Sequence, residues 1–150
     1  MLCSCCGEGR AGLTALNCRS DVLVCRDCIR WLASASGMLD VTPRFPVVDM
    51  DAAAKFYEAV GGRVRRYDDG FAFVTYGDDS LCDLSLVDSI DVTRNGAGCY
   101  VTVRAVEEWH ARFVAAGHPV TSLADQPWGM REFSAHDPSG NEIRIGQPSV

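Results

Sequence analysis

The chain has 150 residues, 47% of them apolar and 23% charged, with a net charge of −6. This composition excludes a disordered chain and suits one ordinary domain, or a small one plus a module. No run reaches the ~20 apolar residues that cross a bilayer, and the cysteine-rich start has no apolar signal-peptide core. A cytoplasmic protein with no membrane partner is therefore expected.

The charge is unevenly placed. Up to residue 40, Arg10, Arg19, Arg26 and Arg30 balance Glu8, Asp21, Asp27 and Asp40, so the whole deficit falls in residues 41–150. An acidic domain repels phosphate backbones, which argues against nucleic acid and favours a cationic small molecule. Mild acidity also serves solubility alone.

Six of the eight cysteines lie in the first 28 residues, and four of them form two Cys-x2-Cys pairs, Cys3/Cys6 and Cys25/Cys28, eighteen residues apart. Two intervening residues let a tight turn aim both thiolates at one ion, while N–H groups in the turn offset the sulfur charge. The spacing is that of zinc-ribbon and treble-clef modules, so residues 1–40 are expected to hold a structural zinc. A hairpin is expected between the pairs, through Ala15-Leu16-Asn17 and Val22-Leu23-Val24, and a short helix from Cys28 to about Gly37. Four thiolates saturate tetrahedral zinc and leave no position for catalysis. Two other readings of the cysteines stay open: a disulfide framework, disfavoured without a secretion signal, and a redox or metal-sensing switch using the spare thiols Cys5 and Cys18. Cys5 could also replace a member of the first pair.

Beyond Asp40-Val41-Thr42-Pro43 the chain repeats itself. Val47-Val48 reads as a strand, and Asp49 as the N-cap of a helix through Val60, stopped by Gly61-Gly62. Met50, Ala53, Phe56, Tyr57 and Val60 recur at helical spacing. Strands are expected over 62–67, 71–76 and 81–87, separated by the turn-forming Asp68-Asp69-Gly70 and Gly77-Asp78-Asp79. The second half runs in the same order: a strand over 100–103, a helix carrying Val106, Trp109, Phe113 and Val114 and ending at Gly117, and strands over 119–121, 130–135 and 142–145. Glu108 and Arg112 are placed for an i,i+4 pair. A shift of 56 residues carries Met50 onto Val106, Tyr57 onto Phe113 and Gly61 onto Gly117. The fold class is thus α+β, two βαβββ units behind a small cysteine module, with domains at 1–40 and 41–150.

This duplicated unit resembles the vicinal-oxygen-chelate superfamily, which includes glyoxalase I, extradiol dioxygenases, fosfomycin-resistance enzymes and bleomycin-resistance proteins. The run Gln126-Pro127-Trp128-Gly129-Met130-Arg131-Glu132-Phe133, followed by Asp137-Pro138-Ser139-Gly140-Asn141, is similar to the C-terminal signature of the bleomycin-resistance branch. The resemblance covers about residues 41–147; the cysteine module falls outside it. Enzymes of the superfamily hold a divalent metal through one side chain on the first and last strand of each unit. Aligned by motif, those positions are Thr42, Asp83, Gly98 and Arg144, of which only Asp83 could ligate.

The resemblance therefore implies a noncatalytic protein that sequesters a planar, cationic or metal-chelating antibiotic of the bleomycin class. It also implies a homodimer that exchanges N-terminal strands and builds its grooves from both chains. Trp128 and Phe71 would be the aromatic walls, and Asp68, Asp69 and Asp83 would attract the ligand's positive charge. Both aromatics could equally be packing residues. The rival readings are a metal-dependent lyase, dioxygenase or thiol transferase on the same fold, and a regulator or adaptor acting through the cysteine module. His110, His118 and His136 share no metal-like spacing, and Cys82 and Cys99, on strands, read as small apolar fillers.

Overall fold

The computed structural model describes residues 41–149 and, before them, two strands, β1 (Thr14–Leu16) and β2 (Arg19–Val24). The chain divides into two compact units, Met1–Val41 and Thr42–Val150. In the first, β1 and β2 form an antiparallel pair, a hairpin between the two cysteine pairs as expected. Cys3, Cys6, Cys25 and Cys28, the spare Cys5 and Cys18, and the helix expected from Cys28 lie outside the described residues. Among the described residues no helix is long and apolar enough to cross a membrane.

The second unit opens with β3 (Arg44–Val47), then α1 (Met50–Ala59), β4 (Arg63–Arg66), β5 (Phe71–Tyr76) and β6 (Asp79–Leu86). The same succession returns as β7 (Gly98–Thr102), α2 (Val106–Ala115), β8 (Ala124–Asp125), β9 (Met130–His136) and β10 (Glu142–Pro148). The two four-stranded sheets have matching orders, β3-β6-β5-β4 and β7-β10-β9-β8, each with its first strand parallel to its last. This is the expected pair of βαβββ units. The sheet of the first βαβββ half is complete within one chain, because β3 pairs with that chain's own β6.

Local chemistry sets the element ends. The Asp49 carboxylate accepts from the Ala52 N–H at 2.9 Å and caps α1, which satisfies one of the donors a helix start leaves bare. Gly117 ends α2 at a φ of +76°, which an L side chain resists. One expected strand is absent. Residues 119–121 make only an isolated bridge, Val120 to Ala135, and regular pairing resumes at Ala124–Asp125. Pro119 has no N–H to give to a ladder, and the Thr121 hydroxyl takes the Ser134 N–H at 2.8 Å. The expected Glu108–Arg112 pair is also replaced: the Arg112 guanidinium lies 5.2 Å from the centre of the Trp109 ring.

One core serves both βαβββ halves of the second unit. Phe45, Val47, Val74, Cys82 and Leu84 from the first sheet are buried with Phe56 and Tyr57 of α1, Phe113 of α2, and Phe133, Ile143 and Ile145 of the second sheet. Phe113 joins the halves, its ring 5.9 Å from Phe56 and 5.7 Å from Phe133. Cys82 is wholly buried and Cys99 half-buried. Burial pushes both thiols up, Cys99 to about 11, so each stays protonated as a packing group.

The Asp137–Asn141 turn locks the first βαβββ half to the second. Asp137 is buried and accepts from the Tyr57 hydroxyl (3.0 Å), the Ser139 and Asn141 N–H groups (2.9 and 3.0 Å) and the Asn141 amide (2.7 Å). Asn141 also donates to the Pro46 carbonyl at 2.9 Å, and the Ser139 hydroxyl accepts from the Val48 N–H at 3.2 Å. Asn95 closes the cluster by donating to Asn141 and to the Ser139 carbonyl. Gly140 is required twice over. Its φ is +81°, and a Cβ there would lie 2.7 Å from the Val92 carbonyl oxygen. The motif that marks the family at sequence level is therefore structural here, a polar clasp across 80–95 residues of chain.

Candidate ligand-binding faces

With helices and core on one side of each sheet, the alternate residues of both sheets form two open faces. On the first sheet, one row of register partners runs Arg44, Asp83, Phe73, Arg65 across all four strands. Phe71, two residues along β5, packs edge-on against Phe73 with ring centres 5.2 Å apart. The Arg44 guanidinium lies 5.0 Å from the centre of Phe71, and that of Arg65 lies 4.4 Å from the centre of Phe73. The sequence-predicted residues Phe71 and Asp83 do share this face. Asp68 and Asp69 are exposed in the turn before β5, where the Asp68 carboxylate accepts from the Gly70 N–H at 2.8 Å. Asp68 is thus engaged in forming its own turn. The face itself is net positive, since Arg44 and Arg65 flank the single carboxylate of Asp83.

The second open face carries Tyr100 of β7, Glu132 and Ser134 of β9, and Glu142 and Arg144 of β10. Tyr100, Arg144 and Ser134 are register partners in one row. Trp128 stands beside them in the turn before β9, 61% exposed. That exposure removes the alternative that Trp128 is a core residue. Its indole N–H donates to Glu132 at 3.4 Å, and the Tyr100 hydroxyl donates to the same carboxylate oxygen at 2.6 Å. Arg144 pairs with Glu142 at 2.9 Å and lies 3.8 Å from Glu132. Partial desolvation and the Glu132 hydrogen bond push the Tyr100 phenol up to about 12, which keeps it a donor. The Ser134 hydroxyl, then Arg144, hold the Glu142 carboxyl below its ordinary range, so it stays ionised.

Gly146 makes this arrangement possible. It sits opposite Glu132 on β10, and a Cβ there would collide with the Tyr100 hydroxyl. The tyrosine ring can therefore lie across the strand and reach Glu132. Trp128, Glu132, Ser134 and Arg144 with Thr121 and Gln126 line a hollow of about 270 Å³. Phe71 does not line it: within one chain, Phe71 and Trp128 belong to different sheets. Sequence reasoning missed Tyr100, Glu132, Glu142 and Arg65 as site residues. Glu132 was visible only as part of a motif run.

A larger cleft of about 660 Å³ lies between α1 and the β9–β10 turn, lined by Phe56, Lys55, His118, His136 and Pro138 among others. The His118 ring rests 4.4 Å from Phe56, and none of the residues of the two aromatic faces lines this cleft.

Of the motif-aligned metal positions Thr42, Asp83, Gly98 and Arg144, Asp83 faces Arg44 and Arg144 faces Tyr100 in the register. The Arg44 and Arg144 guanidiniums oppose a cation and cannot ligate one. Among the described residues no group of three or more His, Cys, Asp or Glu side chains is placed to hold a metal. The residues present do not fit the divalent metal of the superfamily's enzymes.

Residues 40–145 match the model of the Glyoxalase/Bleomycin resistance protein/Dioxygenase superfamily. The chain belongs to this superfamily. The match begins at the end of the cysteine-rich segment. A bleomycin resistance protein of Geobacillus stearothermophilus is 27% identical over 128 residues, covering 73% of this chain and 97% of that protein; one from Staphylococcus aureus matches equally. Among solved structures, a bleomycin-binding protein complexed with bleomycin superposes with a TM-score of 0.68 at 23% identity, covering 73% of this chain and 98% of that one. The bleomycin-binding protein of Streptomyces verticillus, complexed with copper(II)-bleomycin, gives 0.63 at 24% identity over 75% and 97% of the two chains. An antibiotic binding protein from Streptomyces sp. CB03234 gives 0.55 at 27% identity over 73% and 97%.

Proposed function

We propose that residues 41–150 sequester a planar antibiotic of the bleomycin class without catalysis. The observation that carries this reading is the exposed Trp128, poised over the hollow formed with Glu132, Ser134 and Arg144. It belongs to a chain whose curated relatives are bleomycin resistance proteins. An exposed indole can stack on a flat heterocycle and loses few rotamers in doing so. Glu132 and Glu142, rather than Asp68 and Asp69, supply the negative charge beside that ring. Saturable quenching of tryptophan emission by bleomycin, lost in Trp128→Phe while Trp31 and Trp109 remain, is the test. Quenching that persists unchanged in that variant would place the ligand elsewhere.

The working unit in this reading is a homodimer. Each open face alone is shallow, and the first is positive where the second is negative, so the first face of one copy complements the second face of its partner. Facing them makes a groove with Phe71 on one wall and Trp128 on the other. In this reading each chain keeps its own β3 in its own first sheet.

The four-cysteine pattern supports a structural zinc held by Cys3, Cys6, Cys25 and Cys28. Elemental analysis should find about one zinc per chain, with Cys25→Ser losing it. That variant should keep the melting transition of residues 41–150, which have their own core. Metal-free protein with four thiols reacting freely would refute the zinc assignment.

A further inference from the structure

We propose that the first-sheet face provides a subsite for an acidic group, so that the range of ligands held extends to planar compounds bearing a carboxylate, sulfonate or phosphate. The proposal rests on the ligand-binding reading above and specifies its chemistry. Both edge strands of the sheet send an arginine inward over the phenylalanines of β5: Arg44 from β3 onto Phe71, Arg65 from β4 onto Phe73. A guanidinium held over a ring by a cation–π contact keeps N–H donors for a further partner. Among the described residues, the ion pairs of the second unit involve Arg66, Arg131 and Arg144, and neither Arg44 nor Arg65 has one. Two unpaired, pre-oriented guanidiniums bordering an aromatic floor match the geometry of an aromatic acid: rings stack below, and the anion accepts a fork of hydrogen bonds at the side. Asp83, in the row between Arg44 and Phe73, disfavours placing the anion over the centre of the face and directs it to the arginine borders.

The test uses the full-length protein and two fluorescent probes of similar shape, anilinonaphthalene sulfonate and its uncharged counterpart N-phenylnaphthylamine. The sulfonate should bind more tightly than the neutral amine. Arg65→Ala, and more so Arg44→Ala/Arg65→Ala, should weaken sulfonate binding by about tenfold or more, with the neutral probe little changed. Arg65→Lys keeps the charge but loses the planar fork, and should recover only part of the loss. Cationic bleomycin should respond with the opposite sign, binding the double variant as tightly as, or more tightly than, the parent. Both arginines are exposed, so an unchanged melting temperature serves as the fold control. Sulfonate binding indifferent to both arginines, or no preference for the sulfonate over the amine, overturns the proposal, while bleomycin quenching of Trp128 would leave the ligand-binding reading intact.

Discussion

Asp137→Ala should cost about 3–5 kcal/mol of stability, because it strips the acceptor from four buried donors at once. The Tyr57 hydroxyl, two backbone N–H groups and the Asn141 amide all end on that carboxylate. Each orphaned donor costs roughly 1–3 kcal/mol, less what entering water and relaxation recover. The expected fall in thermal midpoint is on the order of 10–20 °C. Tyr57→Phe removes one donor and leaves the other three in place, so about 1 kcal/mol is expected. Burial, then the nearby Cys82 thiol and the Asp137 carboxylate, push the Tyr57 phenol far above its ordinary value, so it donates at every pH at which the protein folds. Thermal denaturation followed by circular dichroism checks both variants. Equal midpoints for Asp137→Ala and the parent would mean that the clasp contributes nothing.

Trp128→Ala should weaken bleomycin by about 1–3 kcal/mol, the scale of losing an aromatic anchor, or roughly 5- to 150-fold in Kd. The residue is exposed and contributes nothing to the core, so the thermal midpoint should hold while affinity falls. Affinity for this cationic ligand should also decline as salt rises, since Glu132 and Glu142 attract it partly through solvent. Isothermal titration at two ionic strengths measures both effects. An unchanged Kd in Trp128→Ala would remove the indole from the site.

The parts of the fold that follow local rules were legible in the sequence. The Asp49 cap, the Gly117 stop and the strand over 71–76 each depend on residues within a few positions, and the 56-residue repeat aligned the two helices. The break at 119–121 was not legible, because it needs the Thr121 hydroxyl to meet Ser134 across the sheet. The site was harder still. Tyr100 and Glu132 are 32 residues apart and meet only because Gly146 leaves room between them. The distribution of charge was not legible either. Residues 41–150 are acidic in sum, yet the first open face is net positive, since composition averages over surfaces that the pleat separates.

The central claim is that a planar ligand lies against Trp128 and the open faces. Mapping amide and indole resonances of the full chain during a bleomycin titration tests it most directly. The account predicts that the largest shifts fall on the Trp128 indole N–H, Tyr100, Ser134 and Phe73. Largest shifts around Phe56 and His118 in the 660 Å³ cleft, or no shifts at saturating bleomycin, would contradict it.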